Sequence, residues 1–220
     1  MNKGGHERGD GLETRLSRAS VGRFSLYLRC LEGLLRDGVA KVSSSQLGGA
    51  LGLTDAQVRK DLASLGSLGH PGIGYPAADL IAAIRHALGV DRSWAVALVG
   101  VGNLARALLR YRGFAQRGFR IVALFDVDPA KIGQHVDGLK VHSAQELPRL
   151  VAATGAELGL MAVPAESAQE VADALVAAGI RGILNFAPAI IRLPPAVSLV
   201  TVDFTVQLEQ LAFLVHYGSS

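Results

Sequence analysis

The sequence has little cysteine, no long uncharged apolar run and no apolar segment at its start. Cys30 is the only cysteine among 220 residues, so the chain cannot form an internal disulfide or a Cys-rich zinc site. No run of about 18 apolar residues free of charge is present, which argues against a transmembrane helix. Residues 1–20 are polar and charged and lack the apolar h-region of a secretory signal. These absences predict a soluble protein of the reducing cytoplasm with no membrane partner.

Metal sites and disorder are also disfavoured by the composition. The six histidines are scattered, with no pair at the spacing of metal ligands, so we expect no bound metal. Hydrophobic residues nevertheless make up 50% of the chain, which is enough for a core and excludes a wholly disordered protein. At about 100–200 residues per domain, a chain of 220 residues holds one large domain or two small ones.

The small excess of positive charge lies entirely in the first part of the chain. Residues 1–90 contain 11 Lys and Arg against 8 Asp and Glu, whereas residues 91–220 contain 11 of each. The net charge of +3 therefore favours an anionic partner for the first part. Ordinary surface charge explains the same excess equally well, so charge alone does not identify the partner.

Residues 21–90 have the pattern of a small helical domain that follows a flexible, polar tail of residues 1–20. The first helix shows apolar residues at helical spacing, namely Phe24, Leu28, Leu31 and Leu35. A short second helix follows the serines at 43–45, and Thr54-Asp55-Ala56-Gln57 is a capping box that opens a third. A Gly-rich stretch over 66–74 predicts a hairpin or loop before a further helix at about 77–88.

From residue 91 the pattern changes to apolar runs that alternate with helical segments. The nearly continuous apolar run at 94–99 is typical of a buried parallel strand. Similar runs recur at 121–125, 158–163, 182–184 and 199–202, with helical segments at about 103–112, 144–153 and 166–178. This alternation predicts an α/β domain with a doubly wound parallel sheet. The last segment, 204–217, is a helix with apolar residues on more than one side, so we expect it to bury itself in a partner.

A glycine motif follows the first predicted strand of this second part and opens a helix. Gly100-Val101-Gly102-Asn103-Leu104-Ala105 matches G-x-G-x-x-G/A, in which the glycines allow a tight turn and a close approach of a diphosphate. The helix N-terminus that follows offers free N–H groups to phosphate oxygens. The motif predicts a Rossmann-type domain that binds a dinucleotide through Gly100, Gly102, Asn103 and Leu104. Two alternatives stay open, a glycine turn that serves packing alone and a domain that binds coenzyme A.

Asp126 ends the second predicted strand and indicates which dinucleotide is bound. A carboxylate at this place accepts hydrogen bonds from both ribose hydroxyls of an NAD-type adenosine and repels the 2′-phosphate of NADP. Val127 and Asp128 provide no basic group for such a phosphate. We therefore expect NADH and NAD⁺ to be the ligands.

The third predicted helix carries polar residues on the side away from its apolar positions. Two short helices, a turn, this polar helix and a Gly-rich hairpin together indicate a winged helix-turn-helix domain. Such a helix enters the major groove of DNA, where Arg and Gln contact base edges and Lys contacts phosphates. The candidate DNA contacts are Ser44, at the start of the second helix, and Gln57, Arg59, Lys60 and Ser64. Charged helix faces are often only solvated, and winged helices also bind proteins, so these alternatives stay open.

Short motifs along residues 21–215 resemble, in order, those of the bacterial Rex family of NADH-responsive transcriptional repressors. The motifs that carry the resemblance are Ser25-Leu26-Tyr27-Leu28-Arg29, Gln57-Val58-Arg59-Lys60-Asp61-Leu62, Gly72-Ile73-Gly74-Tyr75, Val99-Gly100-Val101-Gly102-Asn103-Leu104, Phe125-Asp126-Val127-Asp128-Pro129, Gly182-Ile183-Leu184-Asn185-Phe186-Ala187-Pro188 and Val202-Asp203-Phe204. The combination is highly specific.

The resemblance implies a homodimer that binds operator DNA, senses the NADH/NAD⁺ ratio and leaves the DNA when NADH binds. It also implies that each C-terminal helix is swapped onto the other subunit. The expected domains are a flexible tail at 1–20, a winged-helix domain at 21–90, a Rossmann-type NAD(H)-binding domain at 91–203 and the swapped helix at 204–220.

The family's functional positions map onto residues of this chain. The cofactor positions fall on Gly100, Gly102, Asn103 and Asp126, with Tyr111 and Phe204 near the nicotinamide, and Arg59 and Lys60 fall on the recognition helix. Arg29 and Asp203 fall on positions that couple the two domains. The hypothesis is that Arg29 pairs with Asp203 in the DNA-competent state, with Tyr111 as the alternative partner when NADH closes the dimer.

The chain departs from the family's pattern next to the recognition helix and in the wing. The family usually reads close to Ser-Tyr-Phe-Gly where this chain has Ala63-Ser64-Leu65-Gly66. Its wing usually has an aromatic and then a basic residue where this chain has Leu68 and Pro71, with His70 between them. Both departures remove candidate DNA contacts and therefore concern the operator sequence and the affinity rather than the fold.

Two other functions remain as alternatives to the repressor. An NAD-dependent oxidoreductase needs an acid or base beside the nicotinamide and a substrate domain, and the sequence offers neither in an evident form. The third possibility is a protein that binds a nucleotide or coenzyme A and has a winged helix for protein interactions. We therefore expect a protein that is not an enzyme.

Overall fold

The computed structural model describes residues 16–66 and 74–218, except for the side chain of Arg18. The chain divides into two compact units, Met1–Arg92 and Ser93–Ser220. Across the described residues, no helix combines the length and apolar character that crossing a bilayer requires.

The first unit contains four helices and a small sheet. The helices are α1 (Arg18–Arg36), α2 (Ser44–Leu51), α3 (Asp55–Ala63) and α4 (Ala77–Ala87), and the strands are β1 (Lys41–Val42) and β2 (Tyr75–Pro76). β1 and β2 pair antiparallel. Large buried side chains from all four helices form one core, among them Phe24, Tyr27, Leu31, Leu47, Leu62, Leu80 and Ile84. This is the helical arrangement that the spacing of apolar residues predicts.

Polar side chains set where these helices begin. α1 begins three residues earlier than expected, because the hydroxyl of Ser17 accepts a hydrogen bond from the Ser20 N–H at 3.1 Å. Ser43 and Gln46 form a complete capping box at α2. The capping box expected at α3 is only half formed: Thr54 accepts from the Gln57 N–H at 3.2 Å, but the Gln57 amide turns to a buried carboxylate instead.

The second unit is a seven-stranded sheet with helices. Its strands are β3 (Trp94–Val99), β4 (Phe119–Asp126), β5 (His135–Val136), β6 (Leu139–Ser143), β7 (Leu158–Met161), β8 (Gly182–Asn185) and β9 (Ser198–Thr201). Its helices are α5 (Asn103–Arg110), α6 (Arg112–Gln116), α7 (Leu147–Thr154), α8 (Ala168–Ala177) and α9 (Phe204–Tyr217), with 3₁₀ turns at Ala144–Glu146 and Ala165–Ser167.

The strand order confirms the doubly wound fold. The sheet runs β5-β6-β4-β3-β7-β8-β9, and all neighbours are parallel except β5 and β6. From β3 the chain first winds outward through β4 to β6 and then returns to place β7 on the other side of β3. In sheets of this kind the crevice at the carboxyl ends of these two central strands is where ligands bind.

Two clusters of apolar side chains pack against the sheet. One cluster includes Val99, Phe125 and Leu175, and the other, on separate residues of the same strands, includes Leu98 and Leu124. Alternate residues of β3 therefore enter different clusters, which explains its continuous apolar sequence. α9 is different, because none of its residues is buried within the chain.

Candidate functional site

The turn after β3 requires glycine at its first position. Gly100 has φ +89°, in the left-handed region that favours glycine. A Cβ at this position would collide with the backbone oxygen of Ala162 and would lie 2.8 Å from Cγ1 of Val163. The Gly100 N–H donates to the carbonyl of Phe125 at 2.8 Å. The turn therefore lies between the loop that follows β7 and the carboxyl end of β4.

Gly102, two residues further on, faces open space instead. It caps the N-terminus of α5 without any side-chain hydrogen bond, and a Cβ placed on it would meet no atom within 4 Å. The first N–H groups of a helix have no partner inside the helix and attract anions. Asn103 is exposed beside this opening, while Leu104 is half-buried. The space and the free donors fit a diphosphate group.

Asp126 connects the end of β4 to the glycine turn. Its Oδ2 accepts from the Val101 N–H at 2.8 Å, and its Oδ1 accepts from the Asp128 N–H at 2.9 Å. The residue is 6% exposed. Burial alone would raise the pKa of this carboxyl, but these backbone donors and Lys131 outweigh it and hold the pKa below its ordinary value. The carboxylate is therefore ionised beside the glycine turn, as expected for a ribose-binding acid.

Lys131 places a basic group beside Asp126, although neither Val127 nor Asp128 provides one. Its Nζ is 3.0 Å from Oδ2 of Asp126 and 3.8 Å from Oδ2 of Asp128. The residues after β4 form a helical turn in which the N–H groups of Lys131 and Ile132 donate to the Asp128 carbonyl, and this turn folds Lys131 back. The expectation considered only the two residues that follow Asp126, whereas a cation five positions away reaches it.

Phe204 lies at the same edge of the sheet as the glycine turn. Its ring stacks on Phe186, which follows the carboxyl end of β8, with centroids 6.5 Å apart and planes at 29°. The buried Asn185 fixes this loop, since its Oδ1 accepts from the Ala187 N–H at 2.8 Å. Asp203 caps α9 by accepting from the Thr205 N–H at 2.9 Å. Phe186 was not among the site residues expected from the sequence, although its motif was recognised.

Tyr111 lies away from this edge within one chain. It follows the C-terminus of α5, and the eight residues of that helix span about 12 Å from the glycine turn. Its ring is 56% exposed and meets Phe114 edge to face, with centroids 5.2 Å apart. The expected place of Tyr111 near the nicotinamide stays a prediction.

In the first unit, α3 presents two exposed cations, while Gln57 within the helix and the exposed Ser64 at its C-cap form hydrogen bonds with Asp61. Arg59 and Lys60 are exposed, and Arg59 pairs with Asp55 one turn earlier, at 2.5 Å. Gln57 instead donates to Oδ1 of Asp61 at 3.0 Å, and the Ser64 hydroxyl donates to the Asp61 carbonyl at 2.6 Å. Ser44, the first residue of α2, is half-buried. Arg59 and Lys60 are thus the cations of α3 that remain available to an anionic partner.

Asp61 is the centre of a network that sequence reasoning missed. Arg23 of α1 binds it with Nε on Oδ2 at 2.5 Å and Nη2 on Oδ1 at 2.8 Å. The hydroxyl of Tyr27 also donates to Oδ2, at 2.8 Å. The Arg23 hydrogen bonds lower the pKa of Asp61 against the opposing effect of burial. The signal was present, because Asp61 stands on the same helical stripe as Val58 and Leu62, where an acid requires a partner.

The remaining candidate residues belong to different units or lie outside the described residues. Arg29 is exposed on α1 in the first unit, whereas Asp203 belongs to the second. Leu68, His70 and Pro71 of the expected wing lie outside the described residues. Over 16–66 and 74–218, no group of three or more His, Cys, Asp or Glu side chains is placed to hold a metal.

Two family models match the chain, one in each unit. Residues 15–63 match "Putative DNA-binding protein N-terminus", and residues 91–189 match "CoA binding domain". Among curated relatives, the redox-sensing transcriptional repressor Rex of Rhodopirellula baltica is 45% identical over 212 residues, covering 96% of this chain and 89% of that protein. The Rex of Maridesulfovibrio salexigens is 47% identical over 198 residues, covering 90% and 95%.

Solved structures give the same answer. The Rex-family repressor RSP in complex with beta-NAD+ and operator DNA aligns with a TM-score of 0.88 and 32% identity, over 92% of this chain and 94% of that one. RSP in complex with beta-NADH aligns with a TM-score of 0.83 and 30% identity, over 92% and 95%. The similarity is thus not confined to the short motifs but covers about nine-tenths or more of this chain and of each of these relatives. The chain belongs to the Rex family of redox-sensing transcriptional repressors.

Proposed function

We propose that this chain is a DNA-binding repressor that NADH releases from its operator, and that it is not an enzyme. The observation that carries the proposal is that one chain contains both exposed cations on a recognition helix and an ionised acid beside an open glycine turn. Arg59 and Lys60 supply the first, and Gly102 and Asp126 supply the second. RSP, a relative of known structure, was solved with beta-NAD+ and operator DNA together, which supports the same two ligands here.

NAD(H) serves in this proposal as a sensed ligand. The N-terminus of α5 would hold its diphosphate at Gly102, Asn103 and Leu104, and Gly100 shapes the turn that makes this possible. Asp126 would accept from the adenosine ribose. Because its carboxylate already accepts three hydrogen bonds and has about four acceptor positions, Lys131 must move before both ribose hydroxyls can bind.

A homodimer is the proposed DNA-binding form. α9 exposes large apolar side chains, such as Leu211 at 55% and Phe213 at 61%, that a single chain leaves uncovered. The sheet of the second unit has an apolar cavity of about 340 Å³, lined by residues that include Phe119, Leu158 and Leu184. A swapped α9 would cover such apolar surface. A two-fold dimer presents two recognition helices, so the operator would be an inverted repeat with half-sites about 34 Å, or a multiple of it, apart.

The switch must reside at the nicotinamide. NADH and NAD⁺ share every atom that the glycine turn and Asp126 would touch, so these contacts cannot distinguish them. A ligand shifts an equilibrium only through a difference in affinity for the two states. The neutral dihydronicotinamide packs in an apolar pocket, such as one bordered by Phe186 and Phe204, whereas the charged ring pays a desolvation penalty there. A shift from 1:99 to 99:1 needs about 5.5 kcal/mol, which two coupled sites per dimer can supply.

Arg29, Asp203 and Tyr111 are proposed to transmit this difference. In the DNA-bound state Arg29 of the first unit would pair with Asp203, which stands at the N-terminus of α9. When NADH closes the dimer, Tyr111 would replace that contact. The exposure of Tyr111 at 56% supports a role across the dimer, because its ring is free to meet a second copy. A repressor acts where its operator lies, which in a bacterium is the cytoplasm.

The oxidoreductase and coenzyme-A alternatives are separated by one experiment. A duplex selected from a random pool by the protein is labelled and titrated with it in a gel shift, alone and with NADH, NAD⁺ or coenzyme A. Loss of the shifted band with NADH and its persistence with NAD⁺ and coenzyme A support the repressor. Turnover of nicotinamide with no selected duplex would overturn it in favour of an enzyme, and release by coenzyme A alone would identify a different ligand.

A further inference from the structure

A buried acid lies at the contact between the recognition helix and α1. Asp61 is 5% exposed, and it accepts four hydrogen bonds, two from Arg23 and one each from Tyr27 and Gln57. A charge at this depth is costly unless it is paired and hydrogen-bonded. The carboxylate therefore has one low-energy position, against α1.

The geometry of this contact restricts rotation of α3 about its own axis. The planar guanidinium of Arg23 binds both carboxylate oxygens, and such two-point pairs are directional as well as strong. Tyr27 is fully buried and adds a third fixed donor one helical turn further along α1. Turning α3 would break all three bonds together, so the pair and the hydroxyl hold one rotational setting.

The rotation of α3 about its axis determines the direction in which its DNA-facing side chains point. With 3.6 residues per turn, Arg59 projects roughly 200° and Lys60 roughly 100° around α3 from Asp61. When Asp61 points into the core, Arg59 points almost directly away from it, toward solvent. Discrimination between bases depends on the angle at which a side chain meets a base edge, whereas phosphate contact tolerates small rotations.

An apolar residue would pack at position 61 without this constraint. Val58, Leu62 and Leu65 already form an apolar stripe, and replacing a buried ion pair by an apolar side chain is often neutral or stabilising. Stability therefore does not by itself require a charged group at this place. A need to fix the orientation of α3 would account for the charged group.

We infer that Asp61, held by Arg23 and Tyr27, is a positioning residue that sets the rotation of the recognition helix and thereby its sequence selectivity. The inference rests on the proposed DNA-binding function and deepens it. The structure also explains why Gln57 turns inward, since its amide completes the set of donors around the same carboxylate.

The test compares operator with non-operator DNA for matched variants of the full chain. A duplex selected by the wild-type protein and a shuffled duplex of the same composition are titrated by fluorescence anisotropy at several salt concentrations. The variants are Asp61→Asn, Tyr27→Phe and Arg23→Lys, and the control is Asp79→Asn, which removes an exposed acid from α4. Active protein is counted by stoichiometric titration, so partial unfolding lowers the active fraction and leaves the affinity ratio unchanged.

We expect the preference for operator over shuffled DNA to fall roughly tenfold in Asp61→Asn. The salt dependence on shuffled DNA should stay that of the wild type, because Arg59 and Lys60 still meet phosphates. Arg23→Lys keeps the charge but loses the two-point geometry, so its preference for operator over shuffled DNA should lie between those of the wild type and Asp61→Asn. Asp79→Asn should match the wild type.

A folded Asp61→Asn protein that keeps the wild-type ratio within about twofold would overturn the inference and leave the proposed function intact. If Asp61→Asn does not fold, the same comparison is made with Tyr27→Phe and Arg23→Lys, because both keep the carboxylate paired. A wild-type ratio in both of these variants would overturn the inference in the same way. A wild-type protein that prefers no selected duplex would instead overturn the proposed function itself. The two failures are therefore distinguishable.

Discussion

Lys131 lies directly against Asp126, with its Nζ 3.0 Å from Oδ2 of the acid at the end of β4. The contact places a cation where the sequence indicated only a carboxylate. It partly neutralises the acid that would repel a 2′-phosphate, and it takes up an acceptor that a ribose hydroxyl would use. Selectivity between NADH and NADPH therefore depends on both residues.

NADH should bind this protein far more tightly than NADPH, and Lys131→Met should increase that preference roughly tenfold. The substitution removes the cation that would otherwise meet a 2′-phosphate, and one charge-assisted hydrogen bond is worth about 1.5–3 kcal/mol. Asp126→Ala should weaken NADH binding by a similar amount for each bond lost. Calorimetry with both nucleotides measures these effects, and Lys140→Met, an exposed lysine on β6, is the matched control. Equal affinity of the wild type for NADH and NADPH would contradict the assignment of Asp126.

Substitution of the two glycines of the turn by alanine should affect different properties, namely stability for Gly100 and NADH binding for Gly102. Gly100→Ala should destabilise the second unit, because its Cβ would collide with Ala162 and its φ of +89° is strained for alanine. Gly102→Ala meets no protein atom within 4 Å, so its melting temperature should equal that of the wild type. Its Cβ would nevertheless fill the space proposed for the diphosphate and weaken NADH binding. Thermal melts and NADH titrations measure both, and unaltered NADH binding by Gly102→Ala would remove the diphosphate from this turn.

Arg59→Ala and Lys60→Ala should each reduce DNA binding while NADH binding stays the same. Loss of the Arg59 pair with Asp55 should cost the fold little, since exposed pairs contribute about 0–1 kcal/mol. Each lost phosphate contact should lower the slope of log affinity against log salt by about one. Arg36→Ala, which removes an exposed arginine from the end of α1, is the control. DNA binding that is indifferent to both substitutions would exclude α3 as the recognition helix.

Acid should destabilise the first unit through Asp61. Hydrogen bonds from Arg23 hold the pKa of Asp61 below its ordinary value of about 3.9, so its pairing stabilises the fold fully above that pH. The stabilisation is lost as the pH falls through the depressed pKa of the folded state. Urea unfolding followed by circular dichroism from pH 6 to pH 2 should therefore show a steeper loss in the wild type than in Asp61→Asn. Parallel curves for the two proteins would contradict this source of acid sensitivity.

Regular patterns in the sequence predicted most of the fold. Apolar runs located β3, β4, β7, β8 and β9 because each contains consecutive apolar residues, and β3, β4 and β7 end in three or four buried residues. Helical spacing located α9 at its observed bounds. The β5–β6 hairpin was missed, because β5 has only two residues and β6, Leu139–Ser143, interrupts its apolar residues with polar ones. Its signal was the turn at Asp137 and Gly138, which take φ values of 47° and 84°, as a two-residue hairpin requires.

The candidate site was predictable only where a motif fixes the backbone. The glycine turn and Asp126 could be predicted because the turn directly follows β3 and Asp126 is the last residue of β4. Lys131 and Gln57 could not be placed, because each long side chain chooses among several partners and the choice depends on a carboxylate brought close by folding. The apolar pattern of α9 predicted that it has a partner, but the contacts proposed for Tyr111 and α9 in a second copy cannot be placed from the sequence of one chain.

We expect NADH to release the protein from operator DNA by a route through Arg29. The direct measurement is a titration of the wild-type complex with NADH at fixed salt, followed by fluorescence anisotropy of the labelled operator, with NAD⁺ as the matched ligand and Arg29→Ala as the matched variant. NADH should release the DNA and NAD⁺ should not, and an Arg29→Ala protein should be folded and bind NADH but release DNA poorly. Operator binding by the wild type that NADH leaves unchanged would contradict release by NADH, and normal NADH-driven release by a well-folded Arg29→Ala protein would contradict the route through Arg29.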